Sequence, residues 1–235
     1  VEGSFNIYPL GNSAIGIELG NTIEFHVSDK VLALCHHIQQ QRLSGIKDII
    51  PAYTTLTIVF NAITIRQQHQ TSSAFLFLQQ WIQNAIITCV PGTVSNSRLV
   101  EIPVCYHPSL GIDLEEMAVQ KNSSVEEIIR LHSARVYRVY MIGFLPGFPY
   151  MGNVHEQIAT PRKQQPRARI EKGSVGIAGL QTGIYPADSP GGWNIIGKTP
   201  LQMFNANRDE TTLLQAGDEV RFVPIDLDTF KNLQH

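Results

Sequence analysis

The chain has 235 residues, 43% of them hydrophobic, and a formal net charge of −2. That is enough apolar material for one large domain or two small ones with proper cores; near-neutrality gives no bulk attraction for nucleic acid or acidic membranes. No apolar run reaches the length of a membrane span, and the opening Val1-Glu-Gly-Ser lacks the basic flank and apolar core of a signal peptide, so a soluble cytoplasmic protein is expected.

Residues 5–10 and 14–19 read as two short strands joined by a Gly11-Asn12 turn. Ser28 or Asp29 can cap a helix running to about residue 43, with Val31, Leu34, Cys35 and Ile38 on one face and Ser44-Gly45 ending it. The runs 46–53 and 55–65 are rich in β-branched residues and predict strands. Ser72 then opens a second helix, with Phe75, Leu78, Ile82 and Ile86 at helical spacing. This order describes an α+β half, an α/β sandwich-like domain with helices on one face of a largely antiparallel sheet.

The polar turn-former stretch from Pro91 to Ser97 marks a boundary, giving domains 1–93 and 94–235. Residues 98–106 predict a strand. Asp113-Leu-Glu-Glu116 has the pattern of a capping box opening a short helix, and Ser124-Val-Glu-Glu127 of another. After Arg135 helical periodicity vanishes, and short apolar runs alternate with Gly and Pro, as in an all-β barrel. Strands are expected at 136–142, 174–178, 193–196, 200–205 and 219–224, with Gly217-Asp218 as a turn.

Three segments of this half can carry chemistry. Gly143-Phe-Leu-Pro-Gly-Phe-Pro-Tyr150 holds two Gly and two Pro in eight residues, which fixes the backbone, with Phe144, Phe148 and Tyr150 interleaved. A rigid aromatic loop suits a flat, partly apolar ligand, or a plug sealing a barrel end. Pro161-Arg-Lys-Gln-Gln-Pro-Arg-Ala-Arg169 clusters four cations. In an extended chain Arg167 and Arg169 point to one side, where two guanidiniums match a phosphate or carboxylate. The alternative is a solvated basic loop. Gly183-Ile-Tyr-Pro-Ala-Asp-Ser-Pro-Gly-Gly-Trp193 contains a turn at Ser189, Pro190, Gly191 and Gly192 whose amides could form an anion nest, flanked by Tyr185 and Trp193. Residues 192–199 match GxxxxGK[ST], but Trp193, Ile195 and Ile196 fill the loop, and neither a preceding buried strand nor a following long helix fits the phosphate-binding motif.

Cys35, Cys89 and Cys105 are far apart and form no CxxC pair, and the histidines show no metal-ligand spacing, so no metal site is expected. No GxSxG is present, and no complete acid–base or nucleophile set emerges. Charged residues are only 16%, against roughly 25% in typical domains, a depletion that fits a large partner interface or a bias of composition.

Taken in order, Gly143 to Tyr150, Pro161-Arg162, Pro166-Arg167, Gly173-Ser-Val175, Tyr185-Pro186, Ser189 to Trp193 and Ile196-Gly-Lys-Thr-Pro200 resemble the B subunit of the bacterial 5-oxoprolinase complex. Older labels for that family are allophanate hydrolase subunit 1 and kinase A inhibitor. The likeness is dense from about residue 98 to 224. It departs where Ile170-Glu171-Lys172 replaces the usual Val-Pro-Ala and where Lys198 stands for a commoner Arg. The resemblance implies a cyclophilin-like β-barrel in the C-terminal part. It also implies a non-autonomous enzyme subunit that, with subunits A and C, opens the lactam of 5-oxo-L-proline to L-glutamate, coupled to hydrolysis of ATP. On that reading Arg162, Arg167, Arg169, Lys198, Ser189, Gly191 and Gly192 are the candidates for binding an anionic substrate. Phe144, Phe148, Tyr150, Tyr185 and Trp193 are the pocket lining. Two other activities share the motifs: inhibition of a sporulation-type histidine kinase, and half of a biotin-dependent carboxyltransferase-like module.

Overall fold

The structure is a computed structural model that describes residues 5–89 and 97–234. It divides into two compact units, residues Val1–Asn96 and Ser97–His235. Most of the turn-former stretch at 91–97 lies outside the described residues.

The first unit begins with β1 (Asn6–Leu10) and β2 (Ala14–Glu18), followed by α1 (Phe25–Gln41), β3 (Ile46–Pro51) and β4 (Thr55–Phe60). Two more helices, α2 (Ala62–Gln68) and α3 (Ala74–Thr88), complete it. The sheet runs β1-β2-β4-β3, antiparallel throughout. Alternation is clearest in β4, where Leu56, Ile58 and Phe60 are buried and the residues between them are not. They pack with Val31, Leu34, Cys35 and Ile38 of α1 and Leu78, Ile82 and Ile86 of α3, the stripes expected from periodicity.

Three local signals resolve differently from the sequence expectation. Helix α1 starts upstream of Ser28, with Glu24 at its N-cap making no side-chain cap bond. The apolar stripe reaches back to buried Val27, and that packing outweighs the capping preference of Ser28, whose buried hydroxyl has no hydrogen-bond partner among the described residues. The β-branched run at 55–65 breaks at Asn61, whose Oδ1 accepts hydrogen bonds from the Ile63 and Thr64 amides and starts α2. Ser73, rather than Ser72, caps α3 by accepting from Leu76 N.

The second unit starts with β5 (Leu99–Cys105), α4 (Leu114–Gln120) and α5 (Val125–Ser133). Then follow β6 (Val136–Ile142), β7 (Pro149–Gly152), β8 (Arg167–Ile170), β9 (Ser174–Ala178) and β10 (Gln181–Ile184). The last elements are β11 (Ser189–Gly191), β12 (Asn194–Lys198), β13 (Glu219–Ile225) and α6 (Leu227–Leu233). Seven strands close a barrel in the order β10-β7-β6-β13-β5-β12-β9, and β8 and β11 form a separate two-stranded ribbon. The β5–β13 pair is parallel, in register from Leu99 opposite Glu219 to Cys105 opposite Ile225. Val139, Met151, Val175, Ile177, Ile184, Ile196, Val220 and Phe222 fill the interior. The α+β class and the barrel implied by the family resemblance are both present.

A polar chain crosses this apolar interior. Thr182 Oγ1 donates to Gly176 O at 3.0 Å, so it must accept from His132 Nε2 at 2.9 Å. That assigns the proton to Nε2 and leaves Nδ1 to accept from Tyr106 Oη at 2.8 Å. Every member is satisfied, which is what allows a polar chain in a core. Burial drives the His132 pKa down to about 3, so the ring is neutral.

Residues 200–205 do not form the expected strand; only an isolated bridge joins Phe204 to Thr212. Ser124 caps α5 by accepting from Glu127 N at 3.1 Å, which is half of the expected capping box; the Glu127 carboxylate bonds Arg130 instead of reaching back. Asp113 occupies the N-cap of α4 but makes no capping bond.

Candidate functional site

The β6–β7 loop builds one wall of a cavity. Gly147 turns the chain with φ +83°, and a Cβ there would meet Phe204 Cβ at 2.9 Å. The turn drives Phe148 inward, where its ring lies against Gly183; a Cβ at Gly183 would stand 2.9 Å from that ring. Phe148 is the hub of an aromatic cluster. Its centroid is 5.2 Å from Tyr185, 5.3 Å from Trp193 and 5.7 Å from Phe144, all edge-to-face, and 4.8 Å from Tyr150 in a tilted pair. Gly191 lets the β8–β11 ribbon lie on Tyr185, since a Cβ there would overlap the Tyr185 hydroxyl.

These rings line a cavity of about 200 Å³. All five aromatic candidates, Phe144, Phe148, Tyr150, Tyr185 and Trp193, face it, and of the polar candidates so do Arg162, Gly191 and Gly192. The Arg162 guanidinium carbon stands 5.8 Å from the Trp193 ring centroid. Burial raises the phenol pKa of Tyr185 to about 12 and lifts that of Tyr150 too, with the Arg162 charge pulling both the other way. Both phenols are therefore neutral hydrogen-bonding groups near pH 7.

The remaining candidates lie elsewhere, each for a physical reason. Arg167 and Arg169 share β8 but do not converge on one anion. Arg167 grips Asp113 with both terminal nitrogens, at 2.9 and 2.5 Å. Asp113 also takes Lys163 Nζ at 2.9 Å and the Ile195 amide at 2.7 Å, and its side chain is only 1% exposed. Burial alone would raise this carboxyl; the bonds from Arg167, Lys163 and the Ile195 amide outweigh it and hold the pKa below its ordinary value. A carboxylate buried in this way requires compensation, and Arg167 is committed to supplying it.

Arg169 bonds Asp188 at 2.7 and 3.0 Å in a largely exposed pair. Lys198 bonds Glu171 at 2.5 Å. The expected nest at 189–192 is also revised. Ser189 and Gly191 belong to β11, opposite Ile170 and Arg167 of β8, so a partner strand rather than an anion faces that backbone. Ser189 does not line the cavity. The GxxxxGK[ST] match at 192–199 spans barrel strand β12, with no helix after it.

Sequence reasoning missed Asp113 as an anchor because Asp before a helix signals a cap. Its real partners lie 54 and 82 residues away in the chain, and no local pattern records them. Among the described residues, no group of three or more His, Cys, Asp or Glu is placed to hold a metal ion.

Residues 5–214 match the family described as the carboxyltransferase domain, subdomain C and D. The chain is 43% identical over 223 residues to the B subunit of 5-oxoprolinase from Bacillus subtilis (strain 168), covering 94% of this chain and 93% of that one. Among solved structures, TTHA0988 matches with a TM-score of 0.78 and 32% identity, covering 91% of this chain and 40% of that one. This chain thus spans about two fifths of that longer protein. The Kluyveromyces lactis urea amidolyase shares the fold, with a TM-score of 0.76 at 16% identity over 98% of this chain and 15% of that one.

Proposed function

Since the chain belongs to the family of 5-oxoprolinase B subunits, we propose that it serves as the B subunit of an ATP-dependent complex opening 5-oxo-L-proline to L-glutamate, together with subunits A and C. The observation that carries the geometric side of this reading is the lining of the cavity. Among the described residues it offers aromatic faces, two neutral phenols and one guanidinium, but no carboxylate, histidine, cysteine or serine. Such a wall binds and positions a substrate; it supplies no nucleophile or general base of its own.

The chemistry suits a divided site. A lactam is a poor electrophile near neutral pH. Transfer of the γ-phosphoryl group of ATP to the lactam oxygen makes the ring carbon attackable by water; the ring C–N bond then breaks to leave the γ-carboxyl as an acyl phosphate, and a second water hydrolyses that to glutamate and phosphate. That step requires positioning and charge neutralisation more than covalent help from the protein. The nucleotide is not placed in this cavity, because about 200 Å³ is below the ~300–1,000 Å³ of pockets for drug-sized ligands, and we assign it to the complex. A partner interface also accords with the 16% charged content. We assign the complex to the cytoplasm, where ATP is supplied; among the described residues no helix is long and apolar enough to cross a membrane.

The test is 5-oxoproline-dependent ATP hydrolysis by this chain alone, with A and C homologues, and with each omitted. Turnover is expected only from the full set, and robust turnover by the single chain, or none by the full set, refutes the reading. The match to carboxyltransferase subdomains C and D favours one second reading, a biotin-dependent carboxyl transfer. Adding a biotinylated carrier to the same reconstitution, and finding carboxyl transfer in place of lactam opening, would favour it.

A further inference from the structure

We propose that the cavity beneath Phe144 is a binding site for a small ring-shaped carboxylate, with Arg162 holding the carboxylate and Phe144 and Tyr150 covering the ring above a floor of Phe148 and Trp193. The class of ligand follows from the geometry; only the identification of 5-oxo-L-proline as its natural member rests on the 5-oxoprolinase reading.

Charge pairing singles out Arg162. Of the four cations in segment 161–169, Lys163 and Arg167 are bound to Asp113 and Arg169 to Asp188. Arg162 is bonded to no carboxylate among the described residues, and its guanidinium lies over the Trp193 ring at the cavity. Arg162 is exposed at the rim, so its planar fork is free to turn onto a carboxylate in the cavity, which it can hold through two parallel hydrogen bonds. A single guanidinium among apolar walls favours a monoanion over a phosphate, and no acid in the described lining repels it.

The slot beneath the fork suits a ring. Phe148 and Trp193 are almost fully buried and stand edge-to-face, so they form a fixed floor, and the surface left for a ligand to cover belongs to exposed Phe144 and half-buried Tyr150. The volume of about 200 Å³ excludes a nucleotide and admits one small ring.

Phe144 supplies an independent indication. Its φ is +66°, a left-handed conformation that is costly for a bulky side chain, and the ring is 62% exposed at the rim. A strained backbone and an exposed aromatic ring at one residue oppose folding, and both are explained by a ligand that the ring covers.

The experiment is an NMR titration of the full chain, followed at the Trp193 indole N–H, with Trp81→Phe used to assign the two indole signals. The probes are 5-oxo-L-proline, 2-furoate and the neutral 5-oxo-L-prolinamide. Both carboxylates are expected to shift the Trp193 signal saturably, and the amide is not. Arg162→Gln should weaken carboxylate binding roughly ten- to a hundredfold, and Arg162→Lys should restore part of it. Phe144→Gly should weaken binding while leaving or raising the melting temperature, since glycine adopts this φ freely. Equal binding of acid and amide, indifference to Arg162→Gln, or no response to either carboxylate at its solubility limit overturns the proposal. Arg162-dependent binding of 2-furoate without 5-oxoproline supports the site and counts against the 5-oxoprolinase reading, which reconstituted activity judges separately.

Discussion

Replacing Asp113 by alanine tests whether this residue is the anchor of the β8–β11 ribbon or merely a helix cap. In the folded chain its carboxylate is 1% exposed and receives Arg167, Lys163 and the Ile195 amide. Removing one partner of a fully buried ion pair costs about 3–5 kcal/mol. Here the Arg167 and Lys163 side chains keep 29% and 21% exposure, so water recovers part of their solvation. The buried Ile195 amide has no such recourse, and an unsatisfied buried donor alone costs about 1–3 kcal/mol. The net expectation for Asp113→Ala is a loss of about 2–4 kcal/mol, or roughly 5–15 °C in melting temperature for a chain of this size. Asp113→Asn should fall between, because the amide oxygen can still accept from Ile195 N while the charge is lost. Combining Asp113→Ala with Arg167→Ala should cost at least about 1 kcal/mol less than the sum of the two, since the double variant leaves no orphaned guanidinium. Urea unfolding of the wild type and these variants measures this. A cost within about 0.5 kcal/mol for Asp113→Ala, or strict additivity, would refute the reasoning and return Asp113 to the role of a solvated cap.

Two further outcomes follow from the same chemistry. Arg169→Ala breaks only an exposed pair, so melting temperature and carboxylate binding at the aromatic cavity should both stay at wild-type values; loss of binding would place Arg169 in the site. His132 is neutral when folded, with its pKa near 3, and protonates near its ordinary 6.5 when unfolded. The unfolded state therefore binds the extra proton, and the His132 contribution is complete above pH 6.5 and falls towards pH 3 by about 1.4 kcal/mol per pH unit. Urea midpoints at pH 7 and pH 5.5 should differ in the wild type by more than in His132→Gln; equal differences would mean that the ring is not held neutral.

The barrel strands that stand out in the sequence are those of five to seven residues in which Val, Ile and aromatic residues recur at most or alternate positions. Val136–Ile142 and Ser174–Ala178 are legible to the residue, and Glu219–Ile225 to within one. Pro149–Gly152 and Gln181–Ile184 are four residues long, with too few apolar positions to show a period. They are strands because barrel closure gives each a partner on both sides, a condition that exists only in three dimensions. The opposite error at 200–205 has the same origin. Pro200-Leu-Gln-Met-Phe-Asn205 alternates like a strand, yet the barrel is already closed without it and only one bridge forms.

The site divides along similar lines. Its aromatic wall is visible in the sequence because glycine and proline mark where rings are turned inward, and those marks are local: Gly147 turns the loop that carries Phe148, and Gly183 clears space for its ring. The fate of each cation is not visible there, because a guanidinium reaches whichever carboxylate the tertiary structure presents. Arg162 and Arg167 each follow a proline in the same segment and are indistinguishable in the sequence. One is locked to a buried aspartate and the other overhangs a cavity. The pairing itself is what sharpens the site. By consuming Lys163, Arg167 and Arg169, the acids at 113 and 188 leave one guanidinium over an aromatic slot, and a lone fork of this kind discriminates a planar monoanion from a phosphate better than a diffuse cluster of four cations could.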